Sequence, residues 1–180
     1  LFALEDYLGT EQFDGMMIDF YQKRQFIHPQ PADFRTHVLQ YTGKELAWFF
    51  EGLIGSNRQT DYAVTGVQEE ANYQLEVKNS GQLAVPFSIS GMKDGQVVHR
   101  LKYEGFVGSQ TLNFDRGDYD WIIIDAQHIT LDINRKNNNI KTRGLFQKKE
   151  TQRLKFLTRV EHPRKTSLYW LPALARNNYD

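Results

Sequence analysis

The hydrophobic period changes once along this chain, near residue 60, and that change limits what it can fold into. Up to Leu53 apolar residues recur every three or four positions, the spacing that lines one face of an α-helix. From Asp61 they alternate with polar residues, the spacing of a half-buried strand. The expectation is an α+β protein with an antiparallel helical array first and an all-β immunoglobulin-like sandwich after it. A length of 180 residues allows one domain or two small ones. Apolar runs such as Trp121-Ile122-Ile123-Ile124 fall far short of the ~20 residues a membrane helix needs. The chain has no cysteine, which excludes disulfides, thiolate metal sites and cysteine nucleophiles.

In the helical third, Leu1, Leu4 and Leu8 share a face, and Gly9-Thr10 breaks that helix. Phe13, Met16, Met17, Phe20 and Tyr21 form the stripe of a second helix, which His28-Pro29-Gln30-Pro31 ends. Asp33 caps a third helix carrying Phe34, Val38 and Tyr41. Thr42-Gly43-Lys44-Glu45 reads as a capping box for a fourth, which carries Leu46, Trp48, Phe49, Phe50 and Leu53. Trp48, Phe49 and Phe50 cannot all point inward from one regular helix, so at least one is expected to pack against a neighbouring domain.

The strand region reads as runs at 73–77, 83–89, 97–103, 111–114, 119–124 and 129–133, with Asp94-Gly95 as a hairpin turn. Asn137-Asn138-Asn139 is taken as its end. The expected organisation is therefore 1–60 helical, 61–139 β-sandwich, and 140–180 a basic linker with a β-hairpin built from Leu154–Leu157 and Leu168–Leu171.

The formal net charge is zero, but it is unevenly spread. Residues 1–134 hold 10 Lys and Arg against 19 Asp and Glu, while residues 135–165 hold 11 against 2. An acidic body can hold a basic stretch by long-range attraction, and this reading is preferred to an anionic partner. The chain opens inside a helix and carries the apolar run Trp170–Leu174 near its end, as a piece of a larger protein would. Missing targeting signals then say nothing about location. A periplasmic or secreted setting is favoured.

The first 60 residues carry a specific pattern. Leu4-Glu5-Asp6-Tyr7-Leu8-Gly9 is followed by a Phe-centred helix from Gln12-Phe13 to Tyr21, a Pro-containing turn into Asp33-Phe34, and the segment Thr42-Gly43-Lys44-Glu45-Leu46-Ala47-Trp48-Phe49-Phe50. This order and spacing resemble the end of the catalytic domain in the aminopeptidase N family of zinc metallopeptidases. In that family a β-sandwich follows, and Asp61-Tyr62-Ala63-Val64 stands where it would begin. The segment from Asp118 to Asn138 is similar to large bacterial members with further C-terminal domains. The resemblance implies a parent that binds zinc and cleaves peptides. Its HExxH motif and downstream Glu ligand are not in this sequence, where no histidine has another within four residues. The family's amine-binding Gly-x-Met-x-Asn loop is missing too, and Ser90-Gly91-Met92-Lys93-Asp94 only loosely imitates it. The transition-state-stabilising Tyr would precede Leu1. No catalytic, cofactor-binding or metal residue is therefore expected here, and zinc is expected only in the parent.

Other clusters have plain readings. Asp115, Asp118 and Asp120 could ligate Ca²⁺, but Arg116 and Gly117 intervene and no distal Glu follows, so a solvated turn is preferred. His28 beside Pro29 is read as a turn residue rather than a ligand. Tyr103, Tyr119, Trp121 and Trp170 are read as packing rather than a sugar-stacking platform. The expected role is a non-catalytic scaffold that supports the zinc domain and bridges to later domains. Its partners would be the rest of its own chain and, for the parent, a peptide substrate, with no nucleic acid and no membrane span. The alternative is a β-sandwich module binding peptide or glycan in a secreted protein. An anion-binding adaptor using residues 135–165 is weaker.

Overall fold

A computed structural model describes residues 1–142 and the backbone of two later strands, Arg153–Phe156 and Ser167–Trp170. Helix α1 spans Phe2–Leu8, α2 Thr10–Arg24 and α3 Pro31–Thr42, and a π-helix follows at Trp48–Ile54. Gly9 sits at φ 88°, a backbone angle glycine reaches without strain, and separates α1 from α2. Pro31 opens α3 at its first helical position, where its missing N–H costs nothing. Asp33 does cap α3, but from the third helical position: its carboxylate accepts the Gln30 N–H at 2.8 Å.

Two details of the helical region differ from expectation. Thr42 is the last residue of α3, not a cap for the next helix. Its hydroxyl donates to Val38 O at 2.7 Å and accepts the Lys44 N–H at 3.3 Å, so no Thr42–Glu45 box forms. The segment after Leu46 is a π-helix, and its wider turn lets consecutive rings share one side. Trp48 meets Tyr7 edge-on at 5.4 Å, Phe49 meets Phe50 at 5.0 Å, and Phe50 meets Phe34 at 6.3 Å. All three thus pack within the helical layer, around a core of Leu4, Met16, Val38, Leu46 and Phe49. Tyr21, by contrast, leaves its expected stripe and is exposed.

Seven strands follow: β1 Tyr62–Glu69, β2 Tyr73–Asn79, β3 Phe87–Lys93, β4 Gln96–Tyr103, β5 Gly108–Phe114, β6 Trp121–Ile124 and β7 Asn139–Lys141. They form two antiparallel sheets, ordered β1-β2-β5 and β4-β3-β6-β7. Inward residues of both sheets meet in one core, with Tyr62, Leu75 and Phe114 from the first and Phe87, Ile89, Ile122 and Ile140 from the second. Asp94 at φ 50° and Gly95 at φ 78° make the tight β3–β4 turn. Two buried side chains tie the crossovers between sheets. The Tyr62 hydroxyl donates to Val85 O at 2.9 Å and accepts the Phe106 N–H at 3.2 Å. The Asn79 amide donates to Leu83 O and Phe106 O, while its oxygen accepts the Asp61 and Gly81 N–H groups.

The expected strand at 129–133 does not form; only a single bridge joins Thr60 to Asp132. Leu83 and Val85 are buried but precede β3, because this stretch crosses between sheets. The boundary expected at 139 falls inside a sheet, since β7 pairs with β6 and buries Ile140. The later strands β8, Arg153–Phe156, and β9, Ser167–Trp170, pair in parallel, so they do not make the expected hairpin. Apolar spacing locates strands but does not set their direction, and a hairpin requires antiparallel neighbours.

Candidate functional site

A concavity lies where α1 meets the outer face of the four-stranded sheet. Alternation along β3 sends Phe87 and Ile89 into the core and Ser88 and Ser90 to the opposite face. Both serines are nevertheless buried, so β3 is covered on both sides. Their register partners on β4 are Lys102 and Arg100. Arg100 clamps α1 with a two-pronged ion pair, its Nη2 lying 2.8 and 2.9 Å from the Asp6 carboxylate oxygens. Lys102 donates to the Asp6 carbonyl.

Beside this clamp is a cleft of about 260 Å³ lined by Asp6, Tyr7, Lys44, Ser88, Lys102, Glu104 and Asp125, among others. The Lys44 ammonium stands 4.8 Å from the Tyr7 ring centre. Burial raises the Tyr7 hydroxyl pKa above its ordinary value, and the Glu104 charge adds to the effect. Asp125 is 2% exposed, with its carboxylate accepting the Ile129 and Thr130 N–H groups at 2.8 and 2.9 Å. Burial still outweighs those bonds and raises its pKa. A second groove of about 590 Å³ continues past Phe2, Arg100, His128 and Leu131.

This arrangement holds a helix on a sheet. Among the described residues the Ser88 hydroxyl has no hydrogen-bond partner, so none of them stands ready as a base to activate it. Asp125 is committed to its own loop. The aspartates considered for calcium do not converge on a common point. Asp118 and Asp120 both meet Lys93, each at 3.2 Å, and Asp115 meets His99 at 3.0 Å. Hydrogen bonds to Asp120 and Asp118 raise the Lys93 pKa. His28 is exposed in the turn before α3. Among the described residues no group of three His, Asp or Glu side chains could hold a metal ion.

Among the described side chains, Tyr103, Tyr119 and Trp121 do not form one platform. Tyr119 lies in the β core, where its ring meets those of Phe114, Tyr73 and His99. Tyr103 pairs with Phe87 at one end of β3, and Trp121 pairs with Met92 five residues along it. That separates them by roughly 17 Å at the rise of a strand. The Trp170 side chain, His162 and most of the basic stretch lie outside the described residues. No helix of the described residues is long and apolar enough to cross a membrane.

Sequence reasoning did not find the Asp6–Arg100 clamp, whose partners are 94 residues apart. One signal was present. A half-exposed strand carries charged or long polar residues on its wet face, whereas β3 carries only Ser88 and Ser90 there. No protein-family model and no curated protein matches the chain.

Proposed function

We propose that this chain is a non-catalytic C-terminal portion of an aminopeptidase N-like zinc metallopeptidase. In this reading the helices buttress the zinc domain, and the β module bridges to later domains. The observation that carries it is the apolar surface left on the helical layer. Leu1 and Phe2 are 62% and 80% exposed, and Ile18, Tyr21, Phe26 and Ile27 are exposed beside them in sequence. Exposed large apolar side chains on these helices are what a covering domain would bury. The sheet orders also support an immunoglobulin-like sandwich. The first, second and fifth strands share one sheet, and the third, sixth and seventh share the other. The fourth strand extends the second sheet at β3.

Zinc chemistry, on this reading, belongs to parent residues outside this sequence. His37 and His99 do not fit it. His37 faces Met16 O at 3.1 Å and His99 faces Asp115 at 3.0 Å, each in a different layer. No step is therefore routed through a metal. The test compares amide hydrogen exchange in α1 and α2 between the isolated chain and the parent. Slower exchange in the parent supports the buttress; identical exchange defeats it.

A further inference from the structure

The helical layer and the β module have separate hydrophobic cores. No helix backbone packs along a strand. The seam is made by side chains: the Asp6–Arg100 pair, Lys102 on the Asp6 carbonyl, and the outer-face serines. Three groups on that face lack hydrogen-bond partners, namely Ser88 Oγ, Ser90 Oγ and Arg100 Nε. The cleft of about 260 Å³ already reaches Ser88.

The covalent connection is short and has fixed ends. On the helical side Ser56 Oγ donates to Gly52 O at 2.7 Å. On the β side Gln59 O accepts the Gln82 and Leu83 N–H groups at 2.8 and 3.1 Å. Between those anchors the Arg58 N–H and Nε donate to Ser56 Oγ at 3.2 and 3.3 Å, which leaves Asn57 and the link from Arg58 to Gln59 to take up a bend. One apolar contact sits near this hinge. A methyl group on Gly52 would fall 2.4 Å from Leu83 Cδ1, so Leu83 rests against the π-helix where it has no side chain.

We infer that the seam is a separable joint: the helical layer swings on the link between Ser56 and Gln59, and the Asp6–Arg100 pair latches it closed. This requires only the chain itself and stands whether or not the parent is a peptidase. An ion pair of this kind favours the closed state. The equilibrium is therefore poised to respond to salt and to loss of either charge.

The chain has no cysteine, so two introduced ones can be labelled uniquely. Spin labels at Gln22→Cys on α2 and Thr111→Cys on β5, both exposed, report the distance across the seam. Two populations are expected at low salt, with the longer one growing several-fold in Asp6→Asn and in 1 M NaCl. The charge-swapped pair Asp6→Arg with Arg100→Asp should return it towards the starting value. Hydrogen exchange in β1–β7 checks that each variant keeps its β core, and the salt titration of the otherwise unaltered chain avoids folding failure altogether. A single narrow distance that neither Asp6→Asn nor salt moves would overturn the joint.

Discussion

Asn79 shows how much one side chain can hold. Buried in the β module, it makes four hydrogen bonds to backbone groups on three separate stretches of chain. Asn79→Leu strands two carbonyls and two N–H groups, and should lower stability by about 3–5 kcal/mol, read by urea unfolding. Tyr62→Phe leaves the Phe106 N–H unpaired and should cost about 1–3 kcal/mol. Asp125 and Asp132 are the opposite case, carboxylates whose burial raises their pKa despite backbone donors. Between the unfolded value and the raised folded one, the folded state holds the extra proton. Their contribution to stability therefore grows as pH falls through that window and is lost as pH rises through the folded pKa. A carboxyl NMR titration should place both midpoints above that of an ordinary aspartate, and midpoints at or below it would contradict the burial argument. Burial likewise carries the Tyr103 hydroxyl up to about 12, so it should stay protonated well past the usual tyrosine range.

Elements were legible in the sequence where local chemistry alone decides them. Gly9, Pro31 and Asp94-Gly95 each demand a backbone their neighbours cannot override. Gly43 ends α3 at φ 63° with open space around it, so Gly43→Ala meets no clash but pays the left-handed penalty. The expected loss is ~1–2 kcal/mol, checked by thermal unfolding. Gly105 differs: a Cβ there would stand 2.4 Å from the Ala84 carbonyl carbon and 2.6 Å from Val85 backbone atoms. Gly105→Ala should therefore force the crossover apart and cost more than Gly43→Ala. Alternation misled at Ile129, Leu131 and Ile133, which look like one strand face. There Asp125 takes the Ile129 and Thr130 N–H groups, and Asp132 takes those of Tyr62 and Asn134. Side-chain acceptors occupy the donors a ladder would need. The π-helix escaped for a related reason: three consecutive rings demand a wider turn than the α-helical period supposes.

At the scale of the whole molecule the chain is two cores joined by the Asp6–Arg100 ion pair and by Leu83 against the π-helix. That division follows from the change of period near residue 60. The seam itself was not legible, because Asp6 and Arg100 meet only through the tertiary fold. Across the junction Asp6 pairs with Arg100 and Lys102, and no described cluster offers three metal ligands. The central claim is that these residues support chemistry carried out elsewhere. It is tested most directly by offering the purified 180-residue chain an aminoacyl-anilide with added zinc, with and without a chelator. The account predicts no release of the anilide above the buffer rate in either case; turnover that the chelator abolishes would contradict it.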